Sequence, residues 1–171
     1  IAASCPAALV SVATAVTVGT DGTLGGGSST SGSIAGNVTV NGTLSPGNSA
    51  GTLALGGNLL LNSSAMLNWE LDATAPLTLG LGANDLVTVG GLLTLDGTLN
   101  VTGLNSFAGV NSGSWTLLTY GSLVDNTLTL GSMPTLDSGL HWELSTGDGR
   151  VNLNIVPEPP APLPGAIGLL M

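Results

Sequence analysis

Few residues in this chain could do chemistry, and their scarcity narrows what that chemistry could be. There is one histidine, His141, and one cysteine, Cys5, so a His-dependent nucleophilic triad could rest only on His141. That histidine lies in the alternating stretch LHWEL (140–144), where period two puts it and Glu143 on the face opposite Trp142. This is the place of a surface histidine, not of a general base. A His/Cys metal site needs more ligands of these types than the chain possesses. Ten acids remain: Asp21, Glu70, Asp72, Asp85, Asp96, Asp125, Asp137, Glu143, Asp148 and Glu158. Carboxylates projecting from adjacent rungs of a β-structure can cleave polysaccharides, which keeps a carbohydrate-active enzyme open as an alternative. However, Asp21, Asp96 and Asp148 each precede a glycine, and turn formation accounts for them. One arginine, Arg150, and one tyrosine, Tyr120, are all the chain offers to grip an acidic or sugar substrate. The glycines precede strands rather than helices, so none forms a phosphate cradle. The Asp-Gly corners do not make the nine-residue calcium-binding repeat. We therefore expect no catalytic residue, no metal and no cofactor.

Composition points the same way. The 171 residues suffice for one domain with a core. Only 6% are charged, against roughly 25% in ordinary globular proteins, and lysine is absent. A net charge of −9 repels phosphate backbones, which excludes nucleic acid as a partner. Mean hydropathy is +0.50 with 43% hydrophobic residues, so the chain is not disordered overall. Its solubility rests on Asn, Ser, Thr and Asp, the composition of a surface protein rather than a cytosolic enzyme. A lone cysteine cannot form an internal disulfide. Cys5 is open to three other uses, as a free thiol, an intermolecular link or a lipid-attachment point. The preceding IAAS resembles a lipobox only loosely, with Ala2 in place of the usual leucine, and an ordinary small apolar residue is the reading we adopt. Because the chain begins with Ile1, we expect an upstream segment to have been removed.

Apolar and polar residues alternate with period two almost throughout, which is the strand signal. The runs include AVTV (15–18), NVTV (37–40), TLAL (52–55), NLLL (58–61), MLNWEL (66–71), DLVTV (85–89), LLTL (92–95) and TLNV (98–101). They continue with SWTLLTY (114–120), TLTL (127–130), LHWEL (140–144) and RVNLNIV (150–156). No stretch carries helical periodicity with a cap, and only the alanine-rich residues 1–14 are ambiguous. VTVGTDGTL (16–24), VTVNGTL (38–44), LALGGNLLL (53–61) and LTLDGTLNV (93–101) read as one unit: strand, glycine corner, strand. Repeats this short suit a parallel β-solenoid, whose rungs stack and whose corner glycines reach the conformations that tight turns need. Asn and Thr at equivalent positions should then form hydrogen-bonded ladders. An antiparallel β-sandwich is the alternative, since Asp-Gly and Asn-Gly are also good hairpin turns. Residues 22–36 read as a flexible loop or a loose rung. NWEL (68–71) and HWEL (141–144) echo each other. Alternation should turn Trp69 and Trp142 inward among leucines, and Glu70 and Glu143 to solvent.

The stretches GTLSPGNSAGTLALGGNLLLNSSAMLNWEL (42–71) and DLVTVGGLLTLDGTLNV (85–101) resemble the autotransporter-type β-strand repeats of bacterial surface proteins. The resemblance covers about Thr17 to Val156 and implies a right-handed parallel β-helix, while saying little about activity. The terminus adds a second resemblance. Five prolines fall within residues 157–164, and Val156, Pro157, Glu158 and Pro159 resemble the PEP-CTERM sorting motif. In that family the motif precedes a membrane-spanning helix and a basic tail, and an exosortase processes it in Gram-negative bacteria. The prolines would form an extended spacer holding the folded body off the membrane. Here only AIGLLM (166–171) follows, whereas a span needs about 20 apolar residues. Either the chain is cut short or the processed product ends there; a proline-rich linker to a further domain is the plainer alternative.

Three segments follow: an apolar N-terminal cap or assembly strand (1–14), a β-solenoid body (15–156), and a proline spacer beginning the anchor (157–171). The function expected is a non-enzymatic structural protein, secreted or on the outer cell surface of a Gram-negative bacterium. The alternatives are a carbohydrate-active β-helix enzyme and an adhesin-like binding module. The expected partners are an exosortase-type enzyme, the membrane through the tail alone, and further copies of the chain. Neither end of the body shows a charged cap, so head-to-tail stacking into filaments is expected, through the apolar AALVSVATAVTV (7–18) at one end.

Overall fold

The structure, a computed structural model, describes residues 14–25, 31–47, 49–77, 79 and 83–159. Cys5, nearly all of the expected N-terminal segment and the apolar AIGLLM run lie outside these residues. The described residues are all β, and none of them forms a helix long and apolar enough to cross a membrane.

The strands stack in three columns. The first holds β1 (Val16–Val18), β4 (Val38–Val40), β7 (Leu59–Leu61), the second half of β9 (Leu86–Leu95) and the end of β11 (Gly113–Asp125). All pairs within it are parallel, and Val16, Val38, Leu59, Leu93 and Leu123 lie one above another. The second column is β2 (Thr23–Gly25), β5 (Thr43–Ser45), β8 (Met66–Leu71), β10 (Thr98–Gly103) and β12 (Thr129–Leu130). It aligns Leu24, Leu44, Leu67, Leu99 and Leu130. The third is β3 (Ser31–Ile34), β6 (Thr52–Leu55), the first half of β9 and the middle of β11, with Ile34, Leu55, Val89 and Tyr120 in register. Each circuit of the chain visits the third column, then the first, then the second. Residues 22–36, expected to be a loop or a loose rung, thus contain two strands, β2 and β3.

Period-two alternation is what makes this stack self-consistent. Leu59 and Leu61 are buried while Leu60 between them is 38% exposed; Leu67, Trp69 and Leu71 are buried while Met66 is 41% exposed. Every inward side chain lands on the inward side chain of the rung below, giving one continuous core. Each fully buried leucine contributes roughly 1.5–3 kcal/mol relative to exposure.

The repeat unit is larger than its letters imply. VTVGTDGTL, VTVNGTL and LTLDGTLNV all join the first column to the second, but LALGGNLLL joins the third to the first. These corners differ physically. At the third-to-first corner the glycines stack: a Cβ on Gly90 would approach the Gly56 carbonyl oxygen to 2.7 Å, and one on Gly121 the Gly90 oxygen to 2.8 Å. At the first-to-second corner Gly97 has φ +95° and faces the carbonyl of Ala65. Gly97→Ala combines a strained backbone with that collision, so it should lower stability by at least about 1 kcal/mol in chemical denaturation. A neutral result would mean that the corner is not held in this conformation.

Of the expected ladders, those of asparagine are present. The Asn37 Oδ1 accepts from the Asn58 N–H at 2.9 Å, and the Asn58 Oδ1 accepts from the Leu92 N–H at 2.8 Å, tying three rungs at one corner. On the second column the Asn100 amide donates to Asn68 Oδ1 at 3.1 Å and its own Oδ1 accepts from the Ser132 N–H at 2.9 Å. The Asn62 amide donates to Asn41 Oδ1 in the same manner. Threonines align too, with Thr17 on Thr39 and Thr23 on Thr43.

The C-terminal end departs from the parallel pattern. β13 (Leu140–Gly147) and β14 (Arg150–Pro157) form an antiparallel hairpin, and β14 also pairs antiparallel with β11. Their two-residue connection is Asp148-Gly149, with φ of +49° and +72°, the left-handed pair that a tight hairpin needs. The element of the antiparallel alternative therefore occurs once, at the end of the stack. Residues 131–147 lay Met133, Leu136, Leu140, Trp142 and Leu144, all half-buried, against the core.

Candidate functional site

Loop 72–85 leaves the stack between β8 and β9, and its neck is the most polar place in the interior. Asn84 is 2% exposed and Asp85 1%, whereas the other buried residues are nearly all apolar. Asp85 Oδ1 accepts the Gly51 N–H at 2.8 Å and Oδ2 accepts the Glu70 N–H at 2.8 Å. Its own N–H donates to the Glu70 carbonyl at 2.9 Å. One carboxylate thus ties Gly51 to β8. Beside it, Asn84 Oδ1 accepts from the Asp72 N–H at 2.8 Å, and its amide donates to the Ala75 carbonyl at 2.7 Å. The Trp115 indole N–H closes the neck by donating to the Asp72 carbonyl at 3.0 Å.

Burial pushes the Asp85 carboxyl up to about 6, against the pull of its two backbone N–H donors; the charge of Glu70 adds to the rise. A buried acid titrating near neutrality is a familiar mark of a catalytic group. Here, however, the carboxylate is shut in the interior and both oxygens accept backbone N–H groups, so no substrate can approach it. The arrangement is that of a cross-brace. Asp72 is its opposite, an exposed carboxylate held below the usual range by the Thr74 hydroxyl, then by Asn105 and the Thr74 N–H.

The other acids are dispersed. Asp96 accepts from the Gly97 N–H and Asp125 from the Thr127 N–H, each capping its own turn, whereas Asp137 accepts from the Gly109 N–H, 28 residues earlier in the chain. Among the described residues no three His, Cys, Asp or Glu side chains gather where a metal could sit. His141 is exposed on β13, paired with Val156. Of the motif residues, Val156 and Pro157 are the last two of β14. The Glu158 N–H still bonds to the Gly139 carbonyl at 2.8 Å, while its side chain and Pro159 are exposed.

The tryptophans divide. Trp69 is 1% exposed, whereas Trp142 is only half-buried and packs edge-on to Trp115 and Phe107, with ring centroids 5.7 and 5.2 Å away. Glu143 is exposed as expected; Glu70 is half-buried on the outer face of β8. The echo of NWEL and HWEL is not a structural equivalence, because one lies in a parallel column and the other in the terminal hairpin. No protein-family model matches the chain, and no curated protein matches it.

Proposed function

We propose that this chain is a non-enzymatic structural protein of a bacterial surface or extracellular matrix, its body a right-handed parallel β-solenoid. The observation that carries the reading is where the polar side chains go. The asparagines join rung to rung, Asp85 and Asn84 bind backbone, and the remaining hydrogen-bonded acids hold turns. These are groups an enzyme would direct at a substrate. A rod stabilised in this way serves as a spacer or a matrix unit.

The resemblance of Val156, Pro157, Glu158 and Pro159 to a sorting motif supports export to the surface of a Gram-negative bacterium, with an exosortase-type enzyme as partner and the tail as membrane contact. The exposure of Glu158 and Pro159 immediately after the final strand suits such processing. Self-association is proposed through the N-terminal end, since residues 131–147 cover the core at the other. Deleting residues 1–14 should leave a folded, β-rich monomer. A full-length chain that stays monomeric by light scattering at high concentration would remove assembly from the proposal.

The alternative, a carbohydrate-active enzyme, is separated by incubating the pure protein with a panel of polysaccharides. No release of reducing ends is expected, and reproducible release would overturn the structural reading.

A further inference from the structure

The chain's only cation lies in a groove that no acid lines. Arg150, Asn152, Ser114 and Thr116 form one side, on the outer face of the antiparallel pair β11–β14, and Pro76, Leu77 and Leu79 of loop 72–85 form the other. Asn152 faces Thr116 across the pair, and the Thr116 hydroxyl donates to Asn152 Oδ1 at 2.8 Å. That bond orients the Asn152 amide, and among the described residues its two N–H donors have no partner. Arg150 is exposed and makes no ion pair among the described residues, in a chain with ten acids available to pair it. Leu77 is 87% exposed and Leu79 42%, an apolar wall facing polar groups.

We propose that this groove binds a hexuronic acid residue, free or at the end of an acidic glycan. A guanidinium grips a carboxylate through paired N–H donors, which selects the acid over the neutral sugar. Ser114 and the oriented Asn152 amide match ring hydroxyls, and the wall of Pro76, Leu77 and Leu79 covers the C–H face of the ring. The cavity of about 190 Å³ is below the roughly 300–1,000 Å³ of clefts that enclose drug-sized ligands, so it takes one ring. The net charge of −9 works against any anion and leaves recognition to this single contact. The site binds without turning over, and it goes beyond the structural role proposed above without resting on it.

A single arginine gives a single guanidinium Nε–H signal in the ¹H–¹⁵N spectrum of the full chain, so the test is unambiguous. Titration with D-glucuronate should shift that signal and the Asn152 side-chain amide saturably, with a Kd on the order of 1 mM. D-Glucose, which lacks the carboxylate, and acetate, which lacks the ring, should each bind at least about tenfold more weakly. Arg150→Gln, an exposed change that leaves the rest of the spectrum in place, should abolish the glucuronate response at Asn152. Equal shifts with glucose or acetate, no saturation, or an unchanged response in R150Q would each overturn the proposal.

Discussion

Replacing Trp69 with alanine is expected to lower the unfolding free energy by about 3–5 kcal/mol, the range for emptying a large aromatic from a packed core. Trp69 is 1% exposed and stands between Leu67 and Leu71 in β8, directly beneath Val101 of the next rung. The neighbours that would have to collapse into the void are pinned by ladder hydrogen bonds on both sides, so little of the cavity can be recovered. Trp69→Phe tests a finer point. Among the described residues the Trp69 indole N–H has no hydrogen-bond partner, whereas the Trp115 N–H donates to the Asp72 carbonyl. An unpaired buried donor carries a desolvation cost of about 1–3 kcal/mol, which phenylalanine removes while giving up some volume. W69F should therefore stay within about 1 kcal/mol of the parent, and W115F should fall further through loss of its bond. Urea unfolding of the three variants decides the matter. Equal losses for W69F and W115F would show that the Trp69 N–H is paired.

The inward and outward faces were legible because alternation is a property of consecutive residues. Wherever leucine and valine recur at every second position, the register follows, and Leu67, Trp69 and Leu71 point as the pattern requires. Direction is another matter. Asp-Gly occurs at 21–22, 96–97 and 148–149, and the same two letters make corners within the parallel stack at the first two and a hairpin at the third. What decides is the partner available. After β12 no further circuit follows, and β14 takes the free edge of β11 from the opposite direction. The terminal hairpin carries the same alternation as the rungs before it, so nothing in its own residues marks the reversal.

The polar neck was illegible for a related reason. Asp85 reads locally as the first residue of DLVTV, and its two backbone partners lie 34 and 15 residues away along the chain. Only the stacking of Gly51 beside the start of β9 brings them together. A signal existed nonetheless: an Asn-Asp pair ending a long excursion and opening an apolar run is where returning backbone must find hydrogen-bond partners.

Asp85 also gives the stack a pH dependence whose sign is opposite to ordinary acid denaturation. Its carboxyl has an ordinary value of 3.8 and is raised to about 6 in the folded chain, first by burial. Between these values the folded state holds a proton that the unfolded state has released. Stability from this group is therefore fully present below about pH 4, declines as pH rises towards 6, and stays level above. At 1.36 kcal/mol per unit the difference is roughly 3 kcal/mol. Asp72, held low by Thr74, works the other way, but its contribution is lost only as pH falls below the ordinary carboxylate value, outside this window. Urea midpoints measured from pH 4 to pH 7 should thus decrease. Asp85→Ala should abolish that slope and, at pH 4, cost several kcal/mol, since it strands the Gly51 and Glu70 N–H groups at about 1–3 kcal/mol each. Hydrogen exchange adds a local reading: those two amides should lose protection in D85A while the Asn58–Leu92 ladder keeps its own. A slope that survives in D85A would mean that another group titrates in this window and that Asp85 is not the residue opposing the fold at neutral pH.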